Sequence, residues 1–154
     1  MLGLDARSRI NTAWMERQVL DHVKQALRVM LQWNVPPVGI PRKLSSVQFT
    51  LKSFQRHLER LMNIEEEDGY MVLVAETKPN MVVQIERLEH DHSEFRDTIE
   101  SLLPEVDSLS ECRTEEFDEV CQQIACLLNR VDQHDAAEVE LLQDALLCDE
   151  GGEG

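Results

Sequence analysis

The stretch MVVQIERLEHDHSEFRDTIESLL, Met81 to Leu103, sets apolar residues three and four apart along its whole length. Met81, Ile85, Leu88, Phe95, Ile99 and Leu102 share one stripe of a helix, and His92 interrupts that stripe near its middle. No alternate-residue pattern competes, so the segment reads as helix rather than strand. Pro79 suits the first turn and Pro104 marks a stop, which predicts a helix from Pro79 to about Leu103.

The same spacing recurs on both sides of this stretch. A first helix is predicted from about Asn11 to Asn34, stopped by Pro36 and Pro37, with VPPVGIPRK as a compact connector. A second starts near Ser45 or Ser46, either of which can cap it, and reaches Gly69 or a turn or two beyond. Glu105 to Arg113 reads as a polar link, and Thr114 with Glu115, Glu116 and Phe117 opens a last helix to about Leu147. Residues 149–154 form an acidic, glycine-rich tail expected to fray. The pattern predicts an all-α, up-down-up-down four-helix bundle, one domain over residues 1–154.

Composition narrows the function. With 30 acidic against 15 basic residues the formal net charge is -15, which disfavours nucleic acid and anionic membranes as partners. The longest apolar runs, Met71 to Ala75 and Ile124 to Leu128, are far too short to span a bilayer, and MLGLDARSRI lacks the order of a signal peptide. Cys112, Cys121, Cys126 and Cys148 show no C-x-x-C spacing, so they read as reduced thiols rather than zinc ligands, and a cytoplasmic location is expected.

Each predicted helix interrupts its apolar seam with a polar residue. The first carries Met15, Val19, His22, Ala26, Val29 and Trp33, beside a competing stripe of Leu20, Val23, Leu27 and Met30 that would leave His22 on a flank. The second carries Val47, Leu51, Phe54, Leu58, Leu61 and then Glu65, with His57 flanking. The last carries Phe117, Val120, Ile124, Leu127, Val131, His134, Glu138, Leu141 and Ala145, so His134 and Glu138 lie one turn apart. Buried imidazoles and carboxylates cost free energy unless they pair or bind a cation. Three histidines and two carboxylates from four helices make a candidate shell for iron, manganese or zinc. His134 and Glu138 can also pair without a metal, and the acidic run from Glu65 to Asp68 can serve as a solvated face. His90, two positions from His92, points away and is expected to be exposed.

Several segments resemble the hemerythrin-like, or HHE cation-binding, proteins, and in particular a bacterial branch. They are Leu58 through Glu65-Glu66-Glu67-Asp68-Gly69-Tyr70, Leu88-Glu89-His90-Asp91-His92-Ser93-Glu94-Phe95, His134-Asp135-Ala136-Ala137-Glu138 with Leu142 and Gln143, and Asp149-Glu150-Gly151-Gly152. Leu20-Asp21-His22 matches the opening histidine more loosely, and the similarity covers roughly Phe54 to Gly152. The resemblance implies a four-helix bundle holding non-haem iron, often as a di-iron centre, that binds oxygen or senses oxygen, redox state or iron. It implies ligand roles for His22, Glu65, His92, His134 and Glu138. Two positions depart from the family pattern. Leu61 stands where a histidine precedes the second-helix glutamate by four residues, and Leu88 stands four before His92. His57 is the residue available to fill in.

The leading expectation is a metal-binding protein with dioxygen as a candidate ligand and a homodimer left open. The competing one is a metal-free helical interaction module derived from the same family. Catalysis is disfavoured, because the paired Glu-x-x-His motifs of di-iron enzymes are absent.

Overall fold

The structure, a computed structural model, describes residues 4–67, 69–109 and 114–151. Helices occupy nearly all of them: α1 (Leu4–Gln32), α2 (Ile40–Glu67), a short α3 (Tyr70–Thr77), α4 (Val82–Ser108) and α5 (Thr114–Gly151). Turns of 3-10 helix at Pro37–Gly39 and Pro79–Met81 lead into α2 and α4. The four long helices form the expected bundle. Cross-helix contacts pair early residues of one helix with late residues of its neighbour, as in Lys43 with Leu31 and Gln48 with Val106.

Helix boundaries differ from the expected ones in instructive ways. The 3-10 turn after Pro36 feeds straight into α2, which begins at Ile40 and accommodates Pro41 in its first turn, where no N–H is needed. Lys43, itself buried, then donates to the Leu31 carbonyl and satisfies one of the open acceptors at the end of α1. Pro104 does not stop α4; it sits inside the helix. Its missing N–H and ring clash cost about 3 kcal/mol in a helix interior. Burial of Leu102 and Val106 on either side offsets that, at about 1.5–3 kcal/mol for each large apolar side chain. Gln48 also donates to the Val106 carbonyl at 3.2 Å, so the last turn of α4 is held from α2.

The segment after Gly69 folds as the separate helix α3, because the backbones come too close there for a side chain. A Cβ on Gly69 would lie 2.6 Å from the Ile64 carbonyl oxygen and 2.7 Å from the Cα of Glu65. At the other end of the chain α5 continues through Gly151, so the first residues of the expected frayed tail are helical, and 152–154 lie outside the described residues. Cys121 is buried and Cys126 exposed, both with free thiols. Cys112 and the side chain of Cys148 lie outside the described residues.

α1 turns a different face inward from the one its first stripe suggested. Leu20 and Leu27 are buried, with Val23 and Met30 packed beside them, whereas Met15, Val19, His22, Ala26, Val29 and Trp33 face outward. The core itself divides in two. The larger cluster includes Leu27, Phe54, Leu58, Leu61, Phe95, Ile124, Leu128 and Val131. The smaller one joins Met71 and Val74 of α3 to Met81, Ile85, Leu88, Leu141 and Ala145. Glu65, His92, His134 and Glu138 lie between them along α2, α4 and α5, so one polar layer crosses an otherwise apolar bundle.

Candidate metal centre

Three helices deliver the four polar residues. Glu65 sits in the last turns of α2, His92 at the middle of α4, and His134 and Glu138 one turn apart on α5. All four are buried, His92 and Glu138 to within 1% of full enclosure. Each offers a ligand atom, and the four atoms lie within 4.8 Å of one another. An ion with ligands about 2.1 Å away holds its donors roughly 3 to 4 Å apart, so a small contraction would close the shell.

The two imidazoles meet at the centre. His92 Nε2 and His134 Nε2 are 3.1 Å apart, and the rings are tilted by 53°. Their other nitrogens are held by acids outside the cluster. Glu66 lies 3.0 Å from His92 Nδ1, and Asp91 lies 2.9 Å from His134 Nδ1. Such contacts keep the proton on Nδ1 and aim the Nε2 lone pair inward, the arrangement that outer carboxylates give to metal-bound histidines. Two lone pairs facing each other repel unless a proton or a cation lies between them. Arg96 fixes the outer acid in turn, with Nη1 and Nη2 donating to the two oxygens of Glu66 at 3.1 and 2.8 Å. Phe95 packs edge-on against the His134 ring and closes that side.

The two inner carboxylates each face two ways. Glu138 Oε1 contacts His134 Nε2 and lies 3.8 Å from His92 Nε2, while Oε2 accepts from Arg17. Glu65 Oε1 accepts from the same Arg17 nitrogen at 3.1 Å. Its Oε2 points to the histidine side, 3.5 Å from His92 Nε2, and is buried without a hydrogen-bond partner. An orphaned buried carboxylate oxygen is costly, and a cation beside it removes the cost. The donor set therefore fits a metal: two imidazole nitrogens and two carboxylate oxygens suit iron, manganese or zinc.

Without a metal, protons and Arg17 carry the positive charge. Burial alone would lower the His92 pKa, but the carboxylates of Glu138, Glu65 and Glu66 push it up to about 10. His134 is likewise raised, its burial outweighed by Glu138 and Asp91. Burial and the neighbouring Glu138 charge raise Glu65 to about 7 against the pull of His92 and Arg17. Glu138 is equally buried, yet its histidine contacts hold it well below the usual carboxylate range. The Tyr70 hydroxyl at the start of α3 is buried with no hydrogen-bond partner, and burial together with Glu138 and Glu65 keeps it neutral far above its ordinary pKa.

Two of the expected ligands are elsewhere. His22 is exposed, because α1 buries the Leu20 and Leu27 face instead. His57 pairs with Glu16 of α1 at 2.6 Å and does not join the four, since it lies eight residues before Glu65 on the same helix. As expected, His90 is exposed, and it pairs with Glu94. Leu61 and Leu88 are both buried as apolar core residues. Sequence reasoning missed Arg17, Glu66, Asp91 and Tyr70. Asp91 adjoins His92 and Glu66 adjoins Glu65, so nearness in sequence was the one signal available; Arg17 gave none.

Among the described residues, Glu65, His92, His134 and Glu138 form the one cluster of this kind, and no helix is long and apolar enough to cross a membrane. The family model described as hemerythrin HHE cation binding domain matches residues 15–146. No curated protein and no solved structure matches the chain.

Proposed function

The chain belongs to the hemerythrin HHE cation binding domain family, and from that membership we propose that it holds non-haem iron on Glu65, His92, His134 and Glu138. The observation that carries the reading is the inward-facing pair of histidine nitrogens beside the orphaned oxygen of Glu65. This is an arrangement that a cation relieves. Iron bound there would supply a site for dioxygen and a change of oxidation state, so the role is binding or sensing of oxygen, redox state or iron rather than turnover of a substrate. The chain's own residues hold the donors in place: Glu66 and Asp91 orient the rings, Arg96 anchors Glu66, and Phe95 with Leu88 and Leu141 excludes water. A single domain over 1–154 in a reducing, cytoplasmic setting belongs to the same reading, supported by the free thiols of Cys121 and Cys126.

Anaerobic loading of the full chain with ferrous iron, then desalting, elemental analysis and an optical spectrum before and after air, tests this. Retained iron with new absorption in air supports the whole reading. Retained iron with no response to air leaves binding and removes the oxygen role. Protein without iron overturns the proposal and favours the metal-free interaction module, a reading that the neutralising contacts of Arg17 also support.

A further inference from the structure

Arg17 reaches from α1 into the polar layer and places one nitrogen, Nη2, on both inner carboxylates. Each carboxylate thus spans two positive positions. Glu65 gives Oε1 to Arg17 and turns Oε2 to the histidines; Glu138 gives Oε2 to Arg17 and Oε1 to the histidines. Carboxylates that bridge two cations in this way are what a two-ion centre requires. Here a guanidinium stands at one of the two positions. We propose that the centre takes one metal ion, on the histidine side, and that Arg17 permanently occupies the place of a second.

Three observations support this assignment. A guanidinium stays charged at any accessible pH, and here it is held by ion pairs to both Glu65 and Glu138. A second ion on that side would therefore have to expel a fixed cation from two ion pairs. Nor do α2 and α4 add a further imidazole, since Leu61 and Leu88, one turn before Glu65 and His92, are buried and present only hydrocarbon. Among the described residues no further histidine, cysteine or acid joins the four donors. Arg17 acts as a positioning residue: it sets the charge and the orientation of both carboxylates and leaves one opening.

The inference rests on the metal-binding reading, and its test separates the two. The full chain is loaded anaerobically with cobalt(II) and, separately, with iron(II), desalted, and its metal counted per chain, with the cobalt electron paramagnetic resonance signal integrated. One ion per chain with an isolated-spin signal is expected for the wild type and for Arg17→Lys. Arg17→His, which exchanges the fixed charge for a donor, is expected to raise the count toward two and to weaken the cobalt signal by coupling. Two ions in the wild type, or a folded Arg17→His that stays at one, overturns the inference while the metal reading stands. No ion in the wild type overturns both. If Arg17→His fails to fold, the wild-type count and spin signal decide.

A separate observation concerns the outer face of α1. Met15, Val19, His22, Ala26, Val29 and Trp33 follow the alternating three-and-four spacing of a helix-pairing seam, yet all six are exposed, Met15 and Val29 by about two thirds. The seam is symmetric about residue 24. Turned end for end, it sets Met15 against Trp33, Val19 against Val29 and His22 against Ala26, which is the self-complementarity an isologous two-fold contact needs. It is also uncharged in a chain of net charge -15. Gln18, Gln25 and Gln32 flank it, and the nearby Asp21 pairs with Lys24. Copies of so acidic a chain repel least where charge is missing. We infer that a second copy of this chain covers the seam, with the two α1 helices antiparallel.

Sedimentation equilibrium of the full chain tests the pairing. Twice the 17.8 kDa chain mass is expected for the wild type and the single mass for Val29→Glu. The double variant Val19→Lys, Val29→Glu is expected to regain the dimer, because the antiparallel register sets each new lysine against a glutamate. Both substituted positions lie on the exposed face, so circular dichroism should be unchanged. A wild-type monomer at 100 µM or so (tens of micromolar being roughly the scale of a weak interface), or a dimeric Val29→Glu, overturns the inference. Failure of the double variant to recover overturns the antiparallel register.

Discussion

His92 Nε2 and His134 Nε2 face each other across 3.1 Å at the middle of the bundle, each ring held from behind by a different acid. The contact comes from α4 and α5 lying antiparallel with these two residues at the same level. Neither nitrogen can point elsewhere, because Glu66 and Asp91 occupy the other side of each ring. The pair therefore shares something positive, a proton or, as proposed, a metal ion.

Replacing His92 with alanine is expected to abolish metal retention, while His22→Ala leaves it unchanged. His92 is 1% exposed within the cluster, and His22 lies on the outer face of α1. Elemental analysis of the two variants after identical iron loading distinguishes them. Equal iron in both would refute the assignment of ligands.

Glu138→Ala is expected to destabilise even the metal-free chain by about 3–5 kcal/mol, the usual result of leaving buried charges without their partner. The residue holds both Arg17 and His134, and it is itself fully enclosed. Urea unfolding of the metal-free variant measures the change. A loss below about 1 kcal/mol, the scale of an exposed ion pair, would mean that water reaches the layer.

Metal uptake should release protons and strengthen as pH rises. The surrounding carboxylates push the His92 pKa up to about 10, so at pH 7 it carries a proton that a ligating nitrogen must lose. Glu65, raised by burial and by the neighbouring Glu138 charge, keeps its proton to higher pH than an ordinary carboxylate and contributes in the same direction. Both pKa values are raised, so binding gains affinity as pH climbs from below 7 toward 10 and no longer thereafter. Calorimetric titrations in buffers of different ionisation enthalpy count the protons. Binding with no proton release would contradict the proposed ligand atoms.

Gly69→Ala is expected to disturb Glu65 more than the fold. The added Cβ would fall 2.7 Å from the Glu65 Cα and carbonyl oxygen, so the turn between α2 and α3 must open. Weaker metal affinity with most of the helix content retained is the anticipated outcome, read by circular dichroism and metal competition together. Unchanged affinity would show that the Glu65 backbone yields without cost to its side chain.

The difference between what was legible beforehand and what was not follows from the range of the forces involved. Stripes on α2, α4 and α5 were unambiguous, because each had one apolar face interrupted by histidine or glutamate, once on α2 and α4 and twice on α5. Glu65, His92, His134 and Glu138 were found that way. α1 carried two apolar stripes, one through Leu20 and Leu27 and one through Met15 and Val29. Periodicity gives the angle between them but not which one meets the neighbours. Pro104 misled for a related reason: its local cost is fixed by the chain, while the burial of Leu102 and Val106 that outweighs it exists only in the bundle.

By itself, then, the sequence determined the bundle and the level of its polar layer, since helical period and the spacing of histidine and glutamate are properties of one helix at a time. Tertiary structure alone decided that α1 brings Arg17 rather than His22 to that layer, that His57 turns to Glu16, and that Glu66 and Asp91 stand behind the rings. These are relations between helices, fixed by which faces dehydrate together, and no spacing within a single helix contains them.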